Sequence, residues 1–270
     1  MLKTRILTGL VLAPLVLAGL FWLNTAGVAL LIGAVIAVGG FEWAGLCELQ
    51  GSLRTLYVLG VIALGALSLA LPLSIVLFAA LAWWLYAAWD LVAHKDQSAG
   101  LWRPAHARPL IGLIILIPAW RACVTLKAVD PLHPYWLLLL VLLVWTADSA
   151  AYFAGKAFGR HRLAPHVSPG KTVEGLAGGV IGAALLTFSW IMASGRGRAL
   201  ASEMAGFAIV VALFSVVGDL TESKAKRLAG VKDSGHWLPG HGGILDRIDA
   251  LTAAAPVFVL GIRWLAGDRS

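Results

Sequence analysis

From Ile6 to Val38 the chain reads ILTGLVLAPLVLAGLFWLNTAGVALLIGAVIAV, without one charged side chain. A membrane-spanning helix takes about 20 apolar residues, so this run is too long for a single crossing. Asn24-Thr25-Ala26-Gly27 places turn-forming residues near its middle, and the stretch reads as a helical hairpin. A cleaved signal peptide is the competing reading of its first half. No small-x-small cleavage site follows, and many more apolar runs do, which favours the hairpin.

Working outward, further apolar runs fall near 55–71, 73–92, 109–126, 134–155, 173–194, 203–219 and 250–266, with a break at Leu71-Pro72-Leu73. The expected fold class is therefore all-α, a polytopic integral membrane protein of about nine transmembrane helices. Composition agrees: 60% of the 270 residues are hydrophobic and 13% are charged. Soluble domains carry nearer a quarter charged residues, and a water-soluble fold of this size could not bury so much apolar surface. Residues 1–270 read as one membrane-embedded domain, with N-terminal helices over 1–130 and the catalytic helices and loops over 131–270. Cys47 and Cys123 show no metal spacing, and this topology puts them near opposite membrane faces, which argues against a disulfide.

The net charge of +7 would suggest nucleic acid in a soluble protein; here most Lys and Arg flank spans and set topology. Arg121, Lys127, Arg196, Arg198, Arg263 and Arg269 fall on one side of the expected membrane, and the other fifteen of the 21 basic residues on the opposite side. This bias puts the N-terminus in the cytoplasm and the C-terminus across the membrane. Two polar connections, about Lys156 to Thr172 and Leu220 to Asp249, then share the cytoplasmic face.

The second connection reads TESKAKRLAGVKDSGHWLPGHGGILDRID from Thr221 to Asp249. Asp246 and Asp249, three apart at the start of the last span, share a helix face, and Asp219 ends the span before. Beside Lys224, Lys226, Arg227 and Lys232, three carboxylates at one membrane face match a metal and polyphosphate site, because Mg²⁺ takes a few carboxylates plus phosphate oxygens. Taken singly, each acid reads more readily as structural, Asp249 for instance as a helix cap. Pro239-Gly240-His241-Gly242-Gly243 is a tight turn whose glycines allow backbone N–H groups close to a phosphate, or only a reversal of the chain. Ser168-Pro169-Gly170-Lys171-Thr172-Val173-Glu174-Gly175 lacks the glycine spacing of a Walker-type loop, and no strand is expected before it. Ser168 and Lys171 can still bind phosphate, and Thr172 to Gly175 reads as a helix start. Asp148 lies inside an expected span, where an acid faces a polar cavity or a partner such as Lys156. Glu42 and Asp90 sit near span ends, where snorkelling accounts for them. His161, His166 and His236 read as surface or turn residues.

At this point a family resemblance emerges. Ser223 to Asp249 is similar to the signature of the phosphatidate cytidylyltransferases, also called CDP-diacylglycerol synthases. Ser223, Lys226-Arg227, Lys232-Asp233, Gly235, Leu238-Pro239, His241-Gly242-Gly243, Asp246-Arg247 and Asp249 all fall in register. Ala225 departs from it, standing where a larger apolar residue is usual. The resemblance extends to the Asp148 segment, the Ser168–Gly175 stretch and Phe41-Glu42-Trp43, and so covers most of the chain.

It implies a multi-pass enzyme of the bacterial inner membrane, a homodimer with its active site facing the cytoplasm, that joins CTP to phosphatidic acid and releases pyrophosphate. It implies Mg²⁺ on Asp219 and Asp246, with room for a second cation such as K⁺. Catalysis would fall to Asp219, Lys226, Arg227, Asp246 and Asp249. Substrate binding would involve Asp148, Ser168, Lys171, Ser223, Lys232, Asp233, His241, Gly242, Gly243 and Arg247. The nucleophile of that reaction, a phosphomonoester with a second pKa of about 6, is already largely dianionic at neutral pH. No general base is needed, and His241 is expected to shape the turn or donate a hydrogen bond. Two rivals lack support: the D-G-x-x-A-R pattern of CDP-alcohol phosphatidyltransferases is absent, and a transporter would spread acids over several spans where these crowd at one face.

Overall fold

The computed structural model describes the backbone of residues 2–94, 100–238, 240 and 242–267. Among these residues the chain forms nine α-helices: α1 (Leu2–Trp22), α2 (Thr25–Leu46), α3 (Gly51–Ser68), α4 (Leu73–Ala93), α5 (Ala107–Val129), α6 (Tyr135–Phe158), α7 (Val173–Ala193), α8 (Arg198–Leu228) and α9 (Leu245–Gly267). Eight of them, α2 to α9, are long and apolar enough to cross a membrane. The all-α polytopic reading holds. Two short antiparallel strands, β1 (Arg162–Ala164) and β2 (Ser168–Thr172), were not foreseen.

The hairpin turn falls where its residues demand. Asn24 caps α2, its side-chain oxygen accepting the Gly27 N–H at 2.8 Å. Pro72, which has no N–H to leave unpaired, stands at the N-cap of α4. Cys47 and Cys123 are free, and burial pushes the Cys47 thiol up to about 12.

The largest correction concerns α8. The expected span ends at Asp219, whereas the helix runs on to Leu228. Its polar last turns stay helical because their charges find partners. Lys226 pairs with Glu222 one turn back, and Lys224 pairs with Asp90 of α4.

Small residues let two pairs of helices approach closely. A Cβ on Gly179 of α7 would come 2.8 Å from the Ala147 carbonyl oxygen of α6, so α6 and α7 pack nearly backbone to backbone. Gly218 of α8 does the same against the Asp249 carbonyl of α9. That approach brings the neighbouring Asp219 beside α9. An apolar core of Leu139, Leu140 and Leu143 with Val211, Ala212 and Phe258 fills the middle of the bundle. A second core, rich in Trp43, Trp84 and Trp102, lies toward one end.

The Trp43 indole N–H donates to the Arg108 carbonyl at 2.9 Å, and the Arg227 Nε donates to the Val167 carbonyl at 3.3 Å. The two polar connections expected to share a face do so.

Candidate active site

The segment between α8 and α9 is held by two carboxylates. Asp246, in the first turn of α9, accepts Lys226 Nζ on Oδ1 at 2.6 Å, and on Oδ2 the N–H groups of Gly243 at 2.7 Å and Ser234 at 3.0 Å. Lys226 Nζ also lies 2.5 Å from Glu222 Oε2. Glu42, reaching in from α2, accepts the N–H groups of Ile244 at 3.0 Å and Leu245 at 2.7 Å, and the Ser234 hydroxyl at 3.1 Å. Gly242 adopts φ +79°, and a Cβ on Gly243 would strike Ser234 Oγ and both Glu42 oxygens. The paired glycines are thus a steric requirement of the turn.

On the far side of this segment opens a cavity of about 840 Å³. One wall carries Asp148 and Lys156 of α6, Lys171 of β2, Asp219 of α8, and Asp246, Arg247 and Asp249 of α9. The lining also includes the apolar side chains of Val16, Val35, Val141 and Trp145. Lys171 Nζ meets Asp219 Oδ2 at 2.6 Å, and Ser223 Oγ donates to Asp219 Oδ1 at 3.3 Å. Asp148 lies within electrostatic reach of Asp219, Lys171 and Arg247.

The β-hairpin delivers Lys171. Thr172 caps α7 through the Gly175 N–H at 3.0 Å, as its position at a helix start foretold. Glu174 accepts the backbone N–H groups of Arg160 and His161 and the His161 ring nitrogen, closing the base of the hairpin.

A cavity lined by both charged and apolar side chains suits a ligand with both characters. Residues 3–265 match the family model described as Cytidylyltransferase family. The chain belongs to that family. A Pseudomonas aeruginosa protein named phosphatidate cytidylyltransferase is 46% identical over 99% of this chain and 98% of its own length. Proteins of the same name from Haemophilus influenzae and Thermotoga maritima are 40% and 32% identical, each across at least 96% of both chains.

Within this cytidylyltransferase fold the sequence candidates divide. Asp148, Lys171, Asp219, Asp246, Arg247 and Asp249 come together on the cavity wall. Lys226, Gly242 and Gly243 stand behind it, in the hold on Asp246, and Ser223 supports Asp219. Arg227 is exposed and ties α8 to the hairpin and to the Val231 carbonyl. Ser168 pairs with Ala164 across the hairpin, away from the cavity lining, and Lys232 is exposed on the loop. Asp233 lines a second cavity of about 640 Å³ with Phe41, Arg54 and Trp237. The expectations for His241 and Pro239 lie outside the described residues.

Lys224 is not with the other bases. It is 1% exposed and bonded at 2.6 Å to an equally buried Asp90, which also accepts the Trp102 indole N–H at 3.1 Å. Snorkelling accounts for neither Asp90 nor Glu42, because both are buried against protein donors and neither reaches water. Sequence reasoning passed over Glu222 and misread Glu42 as a snorkelling residue, although Glu42 sits a turn inside an otherwise apolar helix and within the Phe41-Glu42-Trp43 stretch of the family resemblance.

Two carboxylates in this wall have the chemistry for Mg²⁺. A carboxylate has about four lone-pair sites. Asp219 uses one on each oxygen, and Asp246 uses three, leaving one on Oδ1. Among the described residues no group of three or more Cys, His, Asp or Glu side chains is placed to hold a metal ion.

Proposed function

We propose that this chain transfers the cytidylyl group of CTP to phosphatidic acid, giving CDP-diacylglycerol and pyrophosphate. The observation that carries the reading is one cavity lined by both acids and bases and apolar side chains, in a chain matched end to end by phosphatidate cytidylyltransferases. The charged lining would take the triphosphate and the lipid phosphate, and the apolar lining the lipid's glycerol and upper acyl chains. The cavity mouth would face the cytoplasm of a bacterial inner membrane, in a homodimer.

In that reaction an oxygen of the lipid phosphate bonds to the α-phosphorus of CTP. The bond from that phosphorus to the bridging oxygen breaks, and pyrophosphate leaves with the electron pair. Both reactants are anions, so repulsion is the main barrier. Lys171, Arg247 and Lys156 offset it at fixed positions, and no proton has to be removed from the dianionic nucleophile. Asp219 and Asp246 would hold Mg²⁺, which when bound neutralises phosphate charge and polarises the reacting phosphoryl group.

The test is incubation of the detergent-purified protein with CTP, phosphatidic acid and Mg²⁺. CDP-diacylglycerol and pyrophosphate in equal amounts are expected. A phosphorylated lipid with release of CDP would reassign the chain as a lipid kinase.

A further inference from the structure

We infer that Glu42 is a positioning residue for the cavity wall, an inference that rests on the cytidylyl-transfer reading for its rate consequences. Glu42 is 1% exposed, and its three donors lie roughly 200 residues further along the chain. Two of them, the Ile244 and Leu245 N–H groups, are unpaired helix-start donors of α9, where a carboxylate also complements the helix dipole. Asp246 and Glu42 share out the donors of one short segment. Asp246 takes the N–H groups of Ser234 and Gly243, and Glu42 takes the Ser234 hydroxyl and the next two N–H groups. The direction in which Asp246, Arg247 and Asp249 enter the cavity is therefore set from α2, on the other side of the segment.

The support for this carboxylate is itself rigid. The Phe41 carbonyl accepts Arg54 Nε at 2.9 Å, and the Arg54 guanidinium lies 3.6 Å above the Phe41 ring. The Trp43 indole is bonded to the Arg108 carbonyl. Both neighbours of Glu42 are thus locked. Gly235 and Gly243 leave room for its oxygens, since a Cβ at either would collide with them.

The experiment uses Glu42→Gln, which turns one oxygen into an amide N–H₂ facing a donor, and Glu42→Asp, which keeps the charge and shortens the reach. Each is purified in detergent and followed by thermal unfolding, by backbone hydrogen exchange and by cytidylyl-transfer kinetics. Thermal midpoints near that of the wild type are expected, with faster exchange confined to residues 234–250. In Glu42→Gln kcat should fall roughly a hundredfold, the cost of about 1 Å of misplacement, with KM for CTP nearly unchanged and partial rescue in Glu42→Asp. Unchanged kcat in Glu42→Gln despite faster local exchange would overturn the inference. So would collapse of the thermal midpoint in both variants with exchange raised throughout, which marks a merely structural acid. A wild type that makes no CDP-diacylglycerol would instead overturn the functional reading, and the exchange result alone would then decide whether Glu42 holds the segment.

Discussion

Two regions of this molecule are built from the same residue types and share α8 and α9, yet they treat charge in opposite ways. Behind the segment joining those helices, every charge is tied. Lys224 and Asp90 are each 1% exposed, and the Lys226 and Asp246 side chains are 11% and 8% exposed. On the cavity side, Lys171 and Asp219 pair at the same 2.6 Å but remain 27% and 30% exposed. Depth along α8 and helical phase together produce the difference. Asp219 lines the cavity, Lys226 lies two turns further along nearly the same face and meets Asp246, and Lys224 turns to another face and meets Asp90. Buried, ion-paired charges fix geometry, and the partly exposed pair can exchange partners with an incoming anion.

The sharpest way to break this contrast is Asp219→Asn. The side chain keeps its size, and a half-exposed pair contributes little to stability. Loss of its charge from the wall should lower kcat roughly 10²–10³-fold while the thermal midpoint stays within a few degrees of wild type. Comparable loss of midpoint and rate would show that Asp219 belongs with the buried group. Lys224→Met is the converse. Removing one partner of a buried ion pair should cost about 3–5 kcal/mol, read as denaturant or thermal unfolding in detergent. Adding Asp90→Asn, which leaves an acceptor for the Trp102 indole, should restore most of that loss, and the surviving enzyme should keep its KM for CTP. A KM shift in the restored double variant would place Lys224 in substrate binding after all.

The bundle was legible because apolar runs of span length have one solution in a bilayer, and Asn24 and Pro72 marked breaks that local chemistry enforces. The site was legible where residues sit close in sequence, as Asp246 to Asp249 do, or where a lone acid interrupts an apolar span, as Asp148 does. Partners were not legible. Nothing near Lys224 in the sequence distinguishes it from Lys226, and only the arrival of α4 on one side and α9 on the other separates them. For the same reason the charge-rich end of α8 read as a loop, since its helicity depends on carboxylates supplied by distant helices. Glu42 was misread on the same ground, its donors being brought to it by tertiary structure alone.

Thr172 sits where the two regions meet, and it carries the smallest predicted effect. It lines the cavity next to Lys171, but it is 8% exposed and its hydroxyl oxygen accepts the Gly175 N–H in the manner of the tied group. Thr172→Val keeps the shape and removes only the acceptor. Loss of a helix cap costs about 1 kcal/mol, which lowers the thermal midpoint by roughly 2–4 °C in a chain of this size. The backbone of β2 is still paired to β1 through Arg162, so Lys171 should stay in reach of Asp219 and kcat should change by less than about threefold. A rate loss on the scale of Asp219→Asn with so small a thermal shift would mean that the cap itself aims Lys171. The hairpin, like the α9 segment, would then have to be counted among the parts that set the geometry of the wall.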